Sequence, residues 1–349
     1  MECRQRHGDG ANADSGTRHG MLGLLSVLAI AAMSACALLA TAAQAATITV
    51  GSVLPPGSSP TAFGSVETFF NTALPEKGAN LTSPATGAIV RWRMQDAEGG
   101  PFVLRVLRPN GTGGYMAAGT SNPVTPAAGG GLQTFTANLP VQAGDLIGVD
   151  PTNAADKIGI ATVAGASYGF IFPPPFDGAT VAPSGGVAGQ EIELSAEVQP
   201  APAITSITPD FGSVVGGTSI KITGTNLGGA SAVKFGDLAA TSFKAESETQ
   251  ITAVAPASTK VGSVEVTATT LAGTSPEVKN DRFFYEGCVV PKLKGKKVKA
   301  AKKAIGRADC KTGKITRRKG KPGKVIKQSP KPGKVLAPGT KVKLTVGKS

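Results

Sequence analysis

Histidine is nearly absent from this sequence. The 349 residues include two, His7 and His19, and both precede an apolar run at residues 21–40. A chain processed after that run contains none, which excludes Ser-His-Asp and Cys-His catalysis and histidine-ligated metal sites. Walker and dinucleotide motifs are missing too, and the run Gly129, Gly130, Gly131 lacks the Lys-Ser/Thr that grips phosphate, so it reads as a turn. Cysteine is scarce. Cys3 and Cys36 lie in or before the leader, which leaves Cys288 and Cys310, too few ligands for a metal with no histidine nearby. In an oxidising compartment the pair is expected to form a disulfide, the alternative being two free thiols. A glycosidase-type carboxylate pair is the catalytic arrangement that these absences leave open, because two acids can meet from distant strands. The expectation is a protein that is not an enzyme and needs no cofactor or metal.

Long apolar stretches are limited to residues 21–40. Ala43-Gln44-Ala45 follows with the small-x-small pattern of a signal peptidase site, which predicts a signal peptide at residues 1–45, cleaved between Ala45 and Ala46. An uncleaved anchor is the alternative, since about 20 apolar residues can span a bilayer. Arg18 is the one positive charge near the run, and Met21 is a second candidate start. After processing, no stable membrane insertion is expected, and the protein is placed as secreted, extracellular or cell-wall associated.

Aromatics make up only 5% of the chain, while 46 glycines and 25 prolines punctuate short alternating runs. That composition predicts a mainly β fold, and the length suits a multidomain chain. The two β-sandwiches and the small α+β module expected within it follow from residue patterns and family resemblances, not from composition. In residues 46–199, Val90, Trp92 and Met94 alternate with arginines, and residues 102–107 return after a turn, which predicts a hairpin. Ile192, Leu194, Ala196 and Val198 alternate with Glu191, Glu193, Ser195 and Glu197, the pattern of a strand with one face on a core. The unit reads as a β-sandwich loosely similar to jelly-roll domains that bind polysaccharides. Trp92 shares its apolar face with its neighbours and is expected in the core, not on a sugar platform. Asp96, Glu98, Asp145 and Asp150 lack the spacing of a dedicated calcium loop and read as turn carboxylates.

Charge is distributed very unevenly. Residues 288–349 hold 21 of the 36 lysines and arginines and one acid, Asp309, a local charge of +20 in a chain of +13, so the preceding residues sum to −7. Val298, Ala301, Ile305 and Ala308 recur at helical spacing and predict a helix of about three turns. Three short β-like runs follow, at 313–318, 324–329 and 341–346, separated by Lys-Pro-Gly and Pro-Gly turns. Val342, Leu344 and Val346 alternate with Lys341, Lys343 and Thr345.

Val290-Pro291, Gly295, Ala301, Ile305, Gly313, Val325, Gln328-Ser329-Pro330, Gly333, Gly339 and Val342-x-Leu344-x-Val346 resemble the PASTA module. The resemblance implies one helix on three strands and an extracellular role in recognising peptidoglycan or its fragments. The chain departs from better-known members in having no kinase or transpeptidase motif set, and in its far greater lysine content. Ile204-x-x-Ile207-x-Pro209, Gly216-Gly217, Ile220-x-Ile222-x-Gly224, Val233-x-Phe235-Gly236, Ala255-Pro256, Val264-x-Val266 and Phe284 resemble the IPT/TIG domain. That likeness implies an immunoglobulin-like sandwich at 200–287, here acid-leaning and suited to a spacer or adhesion role. A PASTA domain then occupies 288–349.

Three functional readings follow. The first is a secreted noncatalytic envelope protein that binds peptidoglycan or an anionic wall polymer through the cationic module. Its expected contacts are Arg317, Arg318, Lys319, Lys321, Lys324, Lys331 and Lys334, on and beside the presumed turns. The second is a polysaccharide-binding or polysaccharide-active protein that uses the N-terminal sandwich. The third is a nucleic-acid binder, against which stand the leader and the lack of aromatics interleaved with the lysines, so no nucleic-acid partner is expected. The secreted, unreduced protein should begin at Ala46 and weigh two hydrogens less than its reduced form. Intact mass checks both points, and a retained leader or two alkylatable thiols would contradict them.

Overall fold

The computed structural model describes residues 46–349; the expected signal peptide at 1–45, with Ala45 of its expected cleavage site, lies outside the described residues. Among the described residues the chain is mainly β, with a single α-helix near its C-terminal end, and no helix is long and apolar enough to cross a membrane.

Two sheets enclose the first core. One has four strands, in the order Ile48–Gly51, Leu194–Pro200, Gly87–Gln95, Leu132–Val141. The other has eight, with Phe102–Pro109, Leu146–Pro151, Thr68–Ala73 and Lys157–Ile171 adjacent at its centre. Trp92, Met94, Leu194 and Val198 point in from the first sheet to meet Phe69, Phe102, Leu104 and Val149 from the second. Trp92, the chain's one tryptophan, is fully buried, with its ring 4.9 Å from that of Phe135. A bulge between Ile89 and Arg91 puts Ile89, not Val90, on the core face beside Trp92.

The hairpin expected across residues 90–107 does not form. Gly87–Gln95 and Phe102–Pro109 lie in opposite sheets, because the apolar faces of both strands line the same core. The connecting residues arch over the core edge, with Asp96, Gly99 and Gly100 at φ of 49°, 85° and 100°. A second departure concerns Glu191 and Glu193, which the alternation places toward water and the structure buries completely.

Residues 203–286 build a second sandwich with a separate core. Ala203–Thr208, Ser219–Thr225, Gln250–Val254 and Ser242–Ser247 form one sheet; Arg282–Glu286 and Gly262–Thr270 lie within the other. Ile220, Ile222, Ile251 and Val266 pack with Phe235, Phe283 and Tyr285, whose rings meet edge-on. Phe284 points the other way and is exposed. Gly216 has φ of 80°, and a Cβ there would stand 2.6 Å from the Ala257 nitrogen, so the tight turn before Ser219–Thr225 requires glycine.

The cationic module folds around nine buried residues, among them Val290, Leu293, Ala301, Ile305, Val342 and Leu344. Its helix, Val298–Gly306, is about two and a half turns long and presents Ala301 and Ile305 inward. Ala308 falls beyond the helix end but still packs on the core. The sheet runs Lys311–Lys319, Lys341–Lys348, Val325–Ser329, the first pair parallel and the second antiparallel. Gln328 ties the incoming chain to this sheet: its Nε2 donates to Pro291 O at 2.9 Å, and Leu293 N–H donates to its Oε1 at 2.8 Å.

Cys288 and Cys310 are joined in a disulfide, with Cα atoms 4.8 Å apart, that brackets the helix. A loop of 22 residues is closed in this way, a gain of roughly 3 kcal/mol on the loop-entropy account. Replacing Cys310 with serine should cost the module about 2–4 kcal/mol while the N-terminal sandwich is unaffected. Differential calorimetry reads the first effect and Trp92 fluorescence the second; an unshifted module transition would contradict the stabilising role.

Candidate polyanion-binding face

Strand alternation sets the chemistry of the cationic sheet. Val342, Leu344 and Val346 turn inward, so Lys343 and Thr345 must stand on the opposite face, away from the core. Lys314, Thr316 and Arg318 come from one flanking strand and Lys327 from the other, and together these side chains line an open trough of about 370 Å³. Register brings them level: Thr316 and Lys327 both sit opposite Thr345, and Ser329 sits opposite Lys343. Thr316 Oγ1 lies 3.3 Å from Thr345 Oγ1, so a row of hydroxyls runs between the cations. Ile326 adds an apolar wall.

Lysine and arginine are donors only, and the threonine hydroxyls can donate as well, so the trough offers donors and positive charge to an occupant with exposed oxygens. Among the described residues, no ion pair joins any lysine or arginine of 288–349 to an acid. An incoming phosphate or carboxylate therefore displaces no internal partner.

Arg318 alone of the residues singled out from sequence lines the trough. Lys319, Lys321 and Lys324 belong to the turn at one end of the sheet, where Gly320 N–H donates to Lys348 O and Gly323 N–H to Gly347 O. Gly347 sits beneath this turn, and a Cβ there would stand 2.1 Å from Lys321 O. Lys331 and Lys334 occupy the turn at the opposite end, beside Val290. The structure thus separates the two turns and joins neither into one cluster with the other. Lys314, Lys327 and Lys343 escaped the sequence reading, which weighted turns over strands. The alternation of Lys343 with Val342 and Leu344 is the signal that marks Lys343.

On the N-terminal sandwich, each acid considered for calcium has its own partner. Asp145 takes two hydrogen bonds from Arg108, at 2.8 and 2.9 Å, and Asp150 takes two from Arg105, at 2.8 and 2.6 Å. Glu98 pairs with Lys157, and Asp96 accepts from Ser58 and from Gly131 N–H. These donors hold the Asp96 carboxyl below its ordinary range. Buried Asp150 is shifted up by desolvation, against the pull of Arg105.

Residues 289–348 match the model of the PASTA domain, and residues 202–280 match that of the IPT/TIG domain. Both are noncatalytic binding modules, and their combination fits an extracellular or cell-wall binding protein. No curated protein matches the chain. Among solved structures, the full extracellular region of Plexin A4 is similar, at 16% identity and a TM-score of 0.25, over 63% of this chain and 18% of that one.

Changing Lys314, Arg318, Lys327 and Lys343 together to glutamine should weaken binding of a soluble polyphosphate by about 1–4 kcal/mol, from four contacts each contributing about 0.2–1 kcal/mol. Changing Lys299, Lys302 and Lys303 on the helix should cost less. Fluorescence anisotropy of labelled polyphosphate makes the comparison, and equal losses from the two variants would remove the trough's special role.

Proposed function

We propose that this chain is a secreted, noncatalytic envelope protein whose PASTA domain binds peptidoglycan or an anionic wall polymer, with the two sandwiches as spacer or adhesion units. The trough carries the proposal: four cations and a row of hydroxyls, contributed by all three strands and free of internal acid partners. A polymer with repeated phosphates or carboxylates can lie along such a sheet and meet Lys343 from the central strand and Arg318 and Lys327 from the flanking ones. Positive charge spread over the rest of the module draws the polymer in, and the trough orients it.

The contrast between the body at −7 and the module at +20 supports directional attachment, because the body is repelled by the same surface that attracts the module. Polysaccharide cleavage by the N-terminal sandwich draws no support from Glu191 and Glu193, since both side chains are sealed from solvent. A nucleic-acid role draws none from the trough, whose wall holds no aromatic for base stacking.

Purified full-length protein should sediment with isolated cell walls, and a chain ending before residue 288 should not. Retention should fall strongly as salt rises, since the Debye length shrinks from about 10 Å at 0.1 M to about 3 Å at 1 M. Neutral polysaccharide and DNA, run in parallel, should be retained less than walls. Failure of the full chain to sediment with walls at low salt would overturn the proposal.

A further inference from the structure

The N-terminal sandwich seals a group of acids that polymer binding does not use. Glu191 is the next-to-last residue of the strand Gly185–Ile192 of one sheet, and Glu193 precedes Leu194–Pro200 of the other, so the pair flanks the point where the chain changes sheets. Asn71 clamps the residue between them: its Nδ2 donates to Ile192 O and its Oδ1 accepts from Ile192 N–H, both at 2.8 Å. That backbone is fixed on both sides of its peptide, and both glutamates are 0% exposed.

The groups facing them supply few donors and no positive charge. Glu191 Oε1 accepts from Ser52 Oγ, at 2.6 Å, at the end of the first strand. Glu76, from the loop after Thr68–Ala73, brings its carboxylate against the same carboxyl, and Glu193 adds to the local negative charge. Glu193 faces Ser58 and Asp96. On the next strand, a Cβ at Gly159 would stand 3.1 Å from both Glu193 Oε2 and Ser58 Oγ, so backbone closes that side. Both carboxylate oxygens of Glu76 and of Glu193, and Oε2 of Glu191, are buried with no hydrogen-bond donor.

Buried carboxylates without donors are costly, and a proton or a cation must neutralise them. A proton needs no ligand set of its own, and among the described residues no group of three or more His, Cys, Asp or Glu is arranged to hold a metal ion. We propose that Glu191 and Glu193, with Glu76, form a proton-operated lock between the two sheets of the N-terminal sandwich. With the lock closed, Glu191 is a neutral carboxyl whose O–H donates to Glu76, and Glu193 is neutral beside ionised Asp96. Losing these protons leaves like charges confined in a sealed space, which loosens the crossover.

Burial, reinforced by the neighbouring acids, pushes the Glu191 and Glu193 carboxyls up to about 7. The sign follows from linkage. Carboxyls raised in the folded state contribute stability that is fully present below the ordinary glutamate value of 4.5 and is lost as pH rises through about 7.

Denaturant unfolding of the full chain, followed by Trp92 fluorescence, reads this sandwich alone because Trp92 is the one tryptophan and lies in its core. Between about pH 5 and pH 7 the unfolding constant should rise about tenfold per pH unit for each of the two groups. Combining Glu191→Gln with Glu193→Gln should flatten the dependence, since glutamine mimics the neutral acid, and each single variant should remove about half of the slope. Should the double variant not fold, infrared spectra of the wild type serve instead: a protonated-carboxyl C=O band should persist near pH 6 and vanish by about pH 8.5. An unchanged slope in the double variant, or no such band, would overturn the lock. So would calcium raising the wild-type midpoint at high pH but not that of the double variant, which would assign the cluster to a cation.

Discussion

Mutual repulsion among 21 cations in a module of 62 residues is the constraint on which the C-terminal architecture depends. Each pair interacts weakly in water, but screening reaches only about 8 Å at physiological salt, and many neighbours on so small a body lie within that range. Nine buried residues supply a thin core. The disulfide from Cys288 to Cys310 holds the helix across that core, and Gln328 pins the entering chain, so covalent and polar ties add what apolar burial lacks. A fold under such strain of charge gains by meeting an anion, which relieves the repulsion as it binds.

The exposed sheet face is where that relief can be specific. Lysines on the helix and turns reach any negatively charged surface, but in the trough charge, hydroxyls and one apolar wall converge from three strands. The proposed function thus has two parts that sequence composition merges: general attraction by the whole module and orientation by the trough. The sandwiches rest on ordinary apolar burial, with Trp92 at the centre of one and the Phe235, Phe283 and Tyr285 rings at the centre of the other. In the proposed function they are carriers, and the first also holds the proposed proton lock at Glu191 and Glu193, which loosens as pH rises.

Much of this was legible in the residues. The alternation of Val342, Leu344 and Val346 marks a one-sided strand, Ala301 and Ile305 mark the inner face of a helix, and Cys288 and Cys310 are bridged. Trp92 is in the core, as its apolar neighbours imply. Long-range pairing was not legible. The runs at 87–95 and 102–109 look like a hairpin because local pattern cannot tell a turn within one sheet from an arch between two, and Ile89 replaces Val90 because bulges shift the period of two. The burial of Glu191 and Glu193 was hidden for a similar reason: Ser52, Ser58 and Glu76, which face them, come from segments more than a hundred residues away in the chain. Lys314, Lys327 and Lys343 were visible as lysines, but their convergence with Arg318 depends on a register that only the folded sheet displays.

Hydrogen–deuterium exchange of the full chain with and without soluble anionic wall fragments tests the central claim most directly, because it locates the contact without altering a residue. Protection should concentrate in peptides covering 314–318, 325–329 and 343–345, with little change over the helix Val298–Gly306 and none in the N-terminal sandwich. Protection centred on the helix or on residues 46–199, with the sheet unchanged, would contradict the assignment of polymer binding to the trough.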